Sequence, residues 1–134
     1  AHLSRALLLD RVGEHDEAVR NYSGALKELD STPITTLEVE DGSDDERLPA
    51  RAVVLFNRGS SLHRQGRYRA AVDDLNEAVQ LAPLRADFYD NRALARRKLN
   101  DFARAVDDYR TAAAIRSGAL AAKLHEVTHG NDGG

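Results

Sequence analysis

The feature that most constrains this chain is an ungapped internal repeat at an offset of 34 residues. Residues 57–83 read NRGSSLHRQGRYRAAVDDLNEAVQLAP, and residues 91–117 read NRALARRKLNDFARAVDDYRTAAAIRS. Ten positions correspond: Asn57/Asn91, Arg58/Arg92, Gly59/Ala93, Tyr68/Phe102, Ala71/Ala105, Val72/Val106, Asp73/Asp107, Asp74/Asp108, Leu75/Tyr109 and Ala78/Ala112. A third copy lies upstream at an offset of 53, where Arg5, Ala6, Gly13, Ala18, Val19, Tyr22 and Ala25 fall opposite Arg58, Gly59, Gly66, Ala71, Val72, Leu75 and Ala78. The 19 additional residues are an insertion between Asp30 and Ala50 containing STPITTLEVEDGSDDER, with the Pro, Gly, Ser and acidic residues of a surface loop.

The spacing predicts a helix, a turn and a second helix in each unit. Gly13 and Gly66 stand where a first helix must end on a left-handed residue, and Asn100 is the best non-glycine substitute for that conformation. Ala71 and Ala78 are seven apart on one helix face, small enough for helix axes to approach to about 8–10 Å. Leu55, Leu62, Tyr68, Val72, Leu75 and Val79 are expected to fill the seam. Helices are expected near 2–12, 15–30, 48–65, 68–81, 85–99, 102–115 and 118–129, an all-α class. Only 5% aromatic residues and three prolines agree with that class.

The series small residue, Gly turn, aromatic, Ala, large apolar, Ala, Pro, carried by Gly59, Gly66, Tyr68, Ala71, Leu75, Ala78 and Pro83, resembles the tetratricopeptide repeat (TPR) family over about 115 residues. The resemblance implies a right-handed superhelical stack of about seven helices in one domain, 1–134. Its parts are repeat one at 1–30, an acidic insertion loop at 31–49, repeat two at 52–85, repeat three at 86–117, a capping helix at 118–129 and a flexible tail at 130–134. It also implies a protein–protein interaction module, an adaptor or cochaperone-like scaffold, with a partner peptide in a concave groove lined by the first helices. The fold serves many unrelated partners, so the partner stays open.

Helical spacing places Val53, Phe56, Asn57, Ser60, His63 and Arg64 on that groove from the middle unit. The third unit adds Asp87, Asp90, Asn91, Leu94, Arg97 and Lys98, and the first adds Leu3, Ser4, Leu7, Asp10 and Arg11. Asn57 and Asn91 recur one repeat apart, and an Asn amide both donates to and accepts from a peptide backbone. The bland reading is that each ties a neighbouring helix. Arg11, Arg64, Arg97 and Lys98 cluster towards the far end of the same helices, beside apolar Leu7, Phe56 and Leu94. Such a rim complements an acidic or carboxylate-bearing peptide with apolar side chains, or is simply a solvated charged face. Arg58 and Arg92, with the Asp73-Asp74 and Asp107-Asp108 pairs, are expected to make structural inter-helix contacts, and Arg5 extends the series.

Three repeats with an insertion after the first also resemble the modules of cochaperones that clamp the C-terminal carboxylate of heat-shock chaperones. Those modules use a Lys and an Asn in the first repeat, an Asn in the second, and a Lys and an Arg in the third. This sequence keeps Asn57 alone, with Leu3 and Leu7 in place of the first pair and Asp87 and Asn91 in place of the last. An Asp where a carboxylate must bind is repulsive, which argues against the standard clamp.

Other classes find less support. His125-Glu126-Val127-Thr128-His129 matches the HExxH zinc pattern, but only a short Gly-rich tail follows to supply a third ligand, so catalysis is not expected and zinc binding by His125 and His129 stands only as a minor alternative. No cofactor-binding motif is present. A pI of about 5.9 and few aromatics argue against nucleic acid. The absence of Cys excludes disulfides and suits a reducing, cytoplasmic setting; no apolar run is long enough to span a membrane. The missing Met and the start in mid-pattern suggest an excised domain. The main alternative to a peptide groove is a scaffold that self-associates or packs through its convex face, the oligomeric state being open. Ser31 to Arg47 holds six acids and one base, which raises the question of whether the insertion covers the cationic rim.

Overall fold

The computed structural model describes residues 2–31, 36–38 and 47–118. Six helices form three successive hairpins: α1 (His2–Arg11) with α2 (His15–Asp30), α3 (Ala50–Arg64) with α4 (Tyr68–Leu81), and α5 (Ala86–Lys98) with α6 (Phe102–Arg116). Each hairpin stacks on the next through α2 against α3 and α4 against α5. The seventh helix expected at 118–129, the tail at 130–134 and the HExxH stretch lie outside the described residues.

The turn within each hairpin is one device used three times. Gly13, Gly66 and Asn100 have φ of 90°, 81° and 64°. The next residue reaches back across the turn, so that Glu14 N donates to Leu9 O at 2.8 Å, Arg67 N to Leu62 O at 2.9 Å and Asp101 N to Arg96 O at 2.9 Å. This closure satisfies carbonyls that the ending helix leaves open, and it needs the left-handed residue that the sequence supplies.

Packing follows the small residues. Ala6, Ala18, Ala52, Ala71, Ala78, Ala93 and Ala112 are fully enclosed at or near the helix contacts. Tyr22, Leu55, Leu75 and Phe88 supply most of the bulk between the helices. Leu62 and Val79 are buried as expected, whereas Tyr68 and Val72 are half-buried, packed on the smaller cluster of Leu62, Ala71 and Ala95.

Two bidentate forks bind the second and third hairpins internally. Arg58 donates from Nε and Nη2 to both oxygens of Asp74 at 2.7 Å each. One repeat later, Arg92 makes the same fork to Asp108 at 3.0 and 2.7 Å. Each guanidinium also reaches the preceding hairpin, Arg58 to Ser23 Oγ and Arg92 to Asn76 Oδ1, both at 3.1 Å. Ser23 and Asn76 occupy matching positions at the 53-residue offset, so each Arg joins three helices in the same way. The expected structural role of these arginines therefore holds, with the second Asp of each pair as the partner. Arg5 has no such fork, because Asn21 stands where Asp74 stands; Asn21 bonds Glu17 O and His2 instead.

The insertion departs from the expected loop. Thr36–Glu38 (β1) and Arg47–Pro49 (β2) form an antiparallel pair in the register Thr36↔Pro49, Leu37↔Leu48 and Glu38↔Arg47. Leu48 is 6% exposed and joins the main core. Helix α3 accordingly begins at Ala50, two residues later than expected: a residue before proline is held in extended backbone, and Pro49 itself has φ −52° and ψ 133°. The fold remains an all-α repeat stack with this small addition.

Candidate functional site

The first helices α1, α3 and α5 converge on an open hollow of about 750 Å³. Leu7 and Arg11 of α1, Phe56, Asn57, Ser60 and Arg64 of α3, and Asn91 of α5 all line it. These seven candidates are thus brought together. His63 and Leu94 line an adjoining hollow of about 210 Å³ that shares Ser60, Arg64 and Asn91 with the larger one. Arg97 and Lys98 line neither; both are exposed in the last turn of α5. Leu3 and Val53, placed on the groove by spacing, are half-buried against the main core.

The two asparagines differ in use. Asn91 Nδ2 donates to Ser60 Oγ at 2.8 Å, tying α5 to α3. The matching position for Asn57 is Leu7 at the 53-residue offset, which offers no acceptor. Asn57 consequently makes no side-chain hydrogen bond among the described residues and faces the hollow with its amide unused. Beside it, Phe56 stacks on buried Phe88 with centroids 4.8 Å apart, which fixes its ring as part of the floor.

Asp10 forms a polar centre that spacing alone did not reveal. Its carboxylate accepts from His15 Nδ1 at 2.7 Å, Tyr22 Oη at 2.7 Å and Ser61 Oγ at 2.8 Å, with Arg64 at 3.6 Å. Burial by itself would push the Asp10 carboxyl up, but the hydrogen bonds from His15, Tyr22 and Ser61 and the Arg64 charge outweigh it and hold the group below its ordinary range. Burial and the neighbouring carboxylate push the Tyr22 phenol up. His15 and Tyr22 also line the larger hollow. The one sequence signal was Tyr22 at the position of Leu75: a hydroxyl in a core slot requires a partner.

Electrostatically the site is cationic at one end. Burial and the charges of Lys98 and Arg64 push His63 down, keeping it neutral near pH 7. Asp87 and Asp90, at the other end of α5, are compensated by Arg85 at 2.7 Å and by Arg116 respectively. The β1–β2 pair leads into the start of α3, fourteen residues before Arg64, or about 21 Å along the helix. The two ordered strands therefore enter the fold at the end of α3 opposite the cationic rim.

Among the described residues, no group of three His, Cys, Asp or Glu is arranged to hold a metal ion, and no helix is long and apolar enough to cross a membrane.

Comparison with known proteins agrees with this geometry. The family model "Bacterial transcriptional activator domain" matches residues 1–128. Stress-induced-phosphoprotein 1 of Caenorhabditis elegans is 42% identical over 52 residues, 39% of this chain and 16% of that protein. Small glutamine-rich tetratricopeptide repeat-containing protein 2 of Saccharomyces cerevisiae is 27% identical over 104 residues, 77% of this chain and 30% of that protein. The chain thus spans less than a third of either relative. Among solved structures, MamA superimposes with a TM-score of 0.69 at 20% identity, covering 87% of this chain and 57% of that one. The second TPR domain of Spaghetti (RPAP3), solved with the HSP90 peptide SRMEEVD, gives 0.67 at 19% identity, covering 85% and 83%. The fold is that of a TPR stack.

Proposed function

The chain belongs to the bacterial transcriptional activator domain family, and from that premise we propose that it is the protein-contact module of a transcription-activating protein, holding a partner segment in the groove of α1, α3 and α5. One observation carries this reading: residues from all three first helices, Leu7, Arg11, Phe56, Asn57, Arg64 and Asn91, meet on a single open hollow. A partner with acidic and apolar side chains suits the exposed Arg11, Arg64 and Lys98 beside Leu7 and Leu94. The heat-shock carboxylate clamp remains disfavoured, since Asp87 occupies the position of a clamp cation. No catalytic role is proposed, and a cytoplasmic setting fits a transcription-linked chain.

Affinity capture with wild type and with the Asn57→Ala/Arg64→Ala double variant, compared by quantitative mass spectrometry, tests the reading. Partners held in the groove are expected to disappear with the variant while its helicity is unchanged. An identical set of captured proteins would remove the groove from the function.

The self-associating scaffold is the second reading. It draws on exposed apolar residues at both ends of the described stack: Leu8 on α1 and Val12 in the turn after it, at 61% and 65%, and Phe102 and Val106 on α6, at 57% and 45%. Sedimentation across a range of protein concentrations separates the two, because contact through the ends gives a mass that rises with concentration.

A further inference from the structure

We propose that the smaller hollow is an anchor pocket for an aromatic hydroxyl, the tyrosine side chain of a partner, whose phenol meets the His63 ring as the chain's own Tyr22 phenol meets Asp10. The inference rests on the peptide-holding reading above and adds to it a second pocket with its own side-chain chemistry.

The template is internal to the chain. At the junction of the first two hairpins, Asp10 of α1 accepts from His15 and Tyr22 of α2 and from Ser61 of α3. The repeat carries Asp10, His15 and Tyr22 to His63, Tyr68 and Leu75 at the 53-residue offset, and Ser61 to Ala95 at the 34-residue offset. At this second junction none of the three bonds has a counterpart. Ala95 has no hydroxyl and Leu75 no phenol, while Tyr68 meets His63 ring to ring, edge-on, with centroids 5.0 Å apart. His63 consequently makes no hydrogen bond among the described residues, and its Nδ1 is buried without a partner. A polar ring left in that state favours a ligand that brings the missing bond.

Space for such a ligand lies beside it. Where the first junction has the Tyr22 ring, Leu75 carries none, and a hollow of about 210 Å³ lies against Leu75, Leu94 and His63. An apolar cavity of about 150 Å³ accepts a benzene ring, so a phenol has room. Gly59, Leu75 and Leu94 supply apolar wall, and His63, Ser60 and Asn91 supply polar groups. Ser60 Oγ accepts from Asn91, which leaves its own proton to donate. A carboxylate would gain Arg64 but lose its water against the apolar wall. A bare ring would leave His63 unbonded. Burial and the charges of Lys98 and Arg64 keep the imidazole neutral near pH 7, and a neutral imidazole offers one nitrogen that accepts and one that donates. The phenol satisfies both the wall and the imidazole.

NMR titration of the 134-residue chain with p-cresol, toluene and 4-methylbenzoate, followed on the His63 ring and the Leu75 and Leu94 methyl groups, tests the pocket. p-Cresol is expected to bind about two- to tenfold more tightly than toluene, the gain of one hydrogen bond, even though toluene is the more apolar ring. His63→Phe should bring p-cresol down to the affinity of toluene, while Arg69→Ala on α4 leaves it unchanged. Leu75→Tyr should place the chain's own phenol beside His63 and abolish p-cresol binding. Toluene binding as tightly as p-cresol, or p-cresol unaffected by His63→Phe, would overturn the role of the hydroxyl. Tighter binding of 4-methylbenzoate would overturn the phenol in favour of an acidic anchor. Absence of any shift at His63, Leu75 and Leu94 would overturn the pocket itself, whereas capture lost in the Asn57→Ala/Arg64→Ala variant would still uphold the groove.

Discussion

The second and third hairpins are bound internally by the same fork, Arg58 to Asp74 and Arg92 to Asp108, whereas the first hairpin has Asn21 in the acid's place and is bound instead through Asp10. The difference is one of location. The forks join first helices to second helices away from the larger hollow. Asp10, with His15 and Tyr22, lines it. Cohesion and the lining of the hollow are therefore separate in the later repeats and share one carboxylate in the first.

The largest effect expected from this contrast comes from Asp108→Ala. It removes the common partner of Arg92 and Arg96 from a side chain only 4% exposed, leaving two partly buried guanidiniums uncompensated. A loss of about 3–5 kcal/mol in urea unfolding is expected, with Arg5→Ala near zero for lack of a fork.

Asp10→Ala comes next. It leaves the Tyr22 and Ser61 hydroxyls without their acceptor, a loss of about 1–3 kcal/mol, and it should also perturb the groove, as Asp108→Ala should not. The pH dependence follows in sign. Asp10 has a folded pKa below its ordinary 3.8, so the unfolded chain binds its proton first as pH falls. Its stabilisation is complete above the unfolded value and disappears as pH drops through the folded one. His63 is likewise held below its ordinary 6.5; its contribution is complete above that value and declines as pH falls through the window beneath it. Unfolding midpoints measured across pH should show both declines, and Asp10→Asn should remove the acid one alone.

Smaller still is the separation of the asparagines. Asn91→Ala loses the bond to Ser60 and should cost about 1 kcal/mol of stability. Asn57→Ala should leave stability unchanged within about 0.5 kcal/mol and weaken only ligand binding. The smallest effect is Asn100→Gly, which relieves a left-handed residue at φ 64° and should raise the thermal midpoint slightly. Gly66→Ala at φ 81° should lower it by an amount matching about 1 kcal/mol.

Much of this was legible in the repeat. Gly13, Gly66 and Asn100 marked the turns, the 34-residue offset marked the hairpins, and the paired Asp74 and Asp108 marked the forks, because those features depend on local backbone and fixed spacing. Seven of the candidates share the larger hollow for the same reason, since one position per turn faces one side of a helix, whereas Arg97 and Lys98 line neither hollow and Leu3 and Val53 pack on the core. What escaped depended on contacts between distant elements. The Asp10 centre joins α1, α2 and α3, and no spacing within one helix encodes it. The β1–β2 pairing sets the backbone of Leu37 opposite that of Leu48 across the insertion, while the local composition argued for a loop. Asn57 and Asn91 looked equivalent in sequence, and only the exchange of Ser60 for Leu7 on the neighbouring helix separates them.

Side-chain amide signals provide the most direct test of the groove as a binding site. In NMR titration of the chain with a synthetic peptide of acidic and apolar residues, the Asn57 NH₂ resonances are expected to shift to saturation while those of Asn91 stay near their free positions, held by Ser60. Saturation of binding with Asn57 unmoved would contradict the central claim that the groove of the three first helices holds the partner.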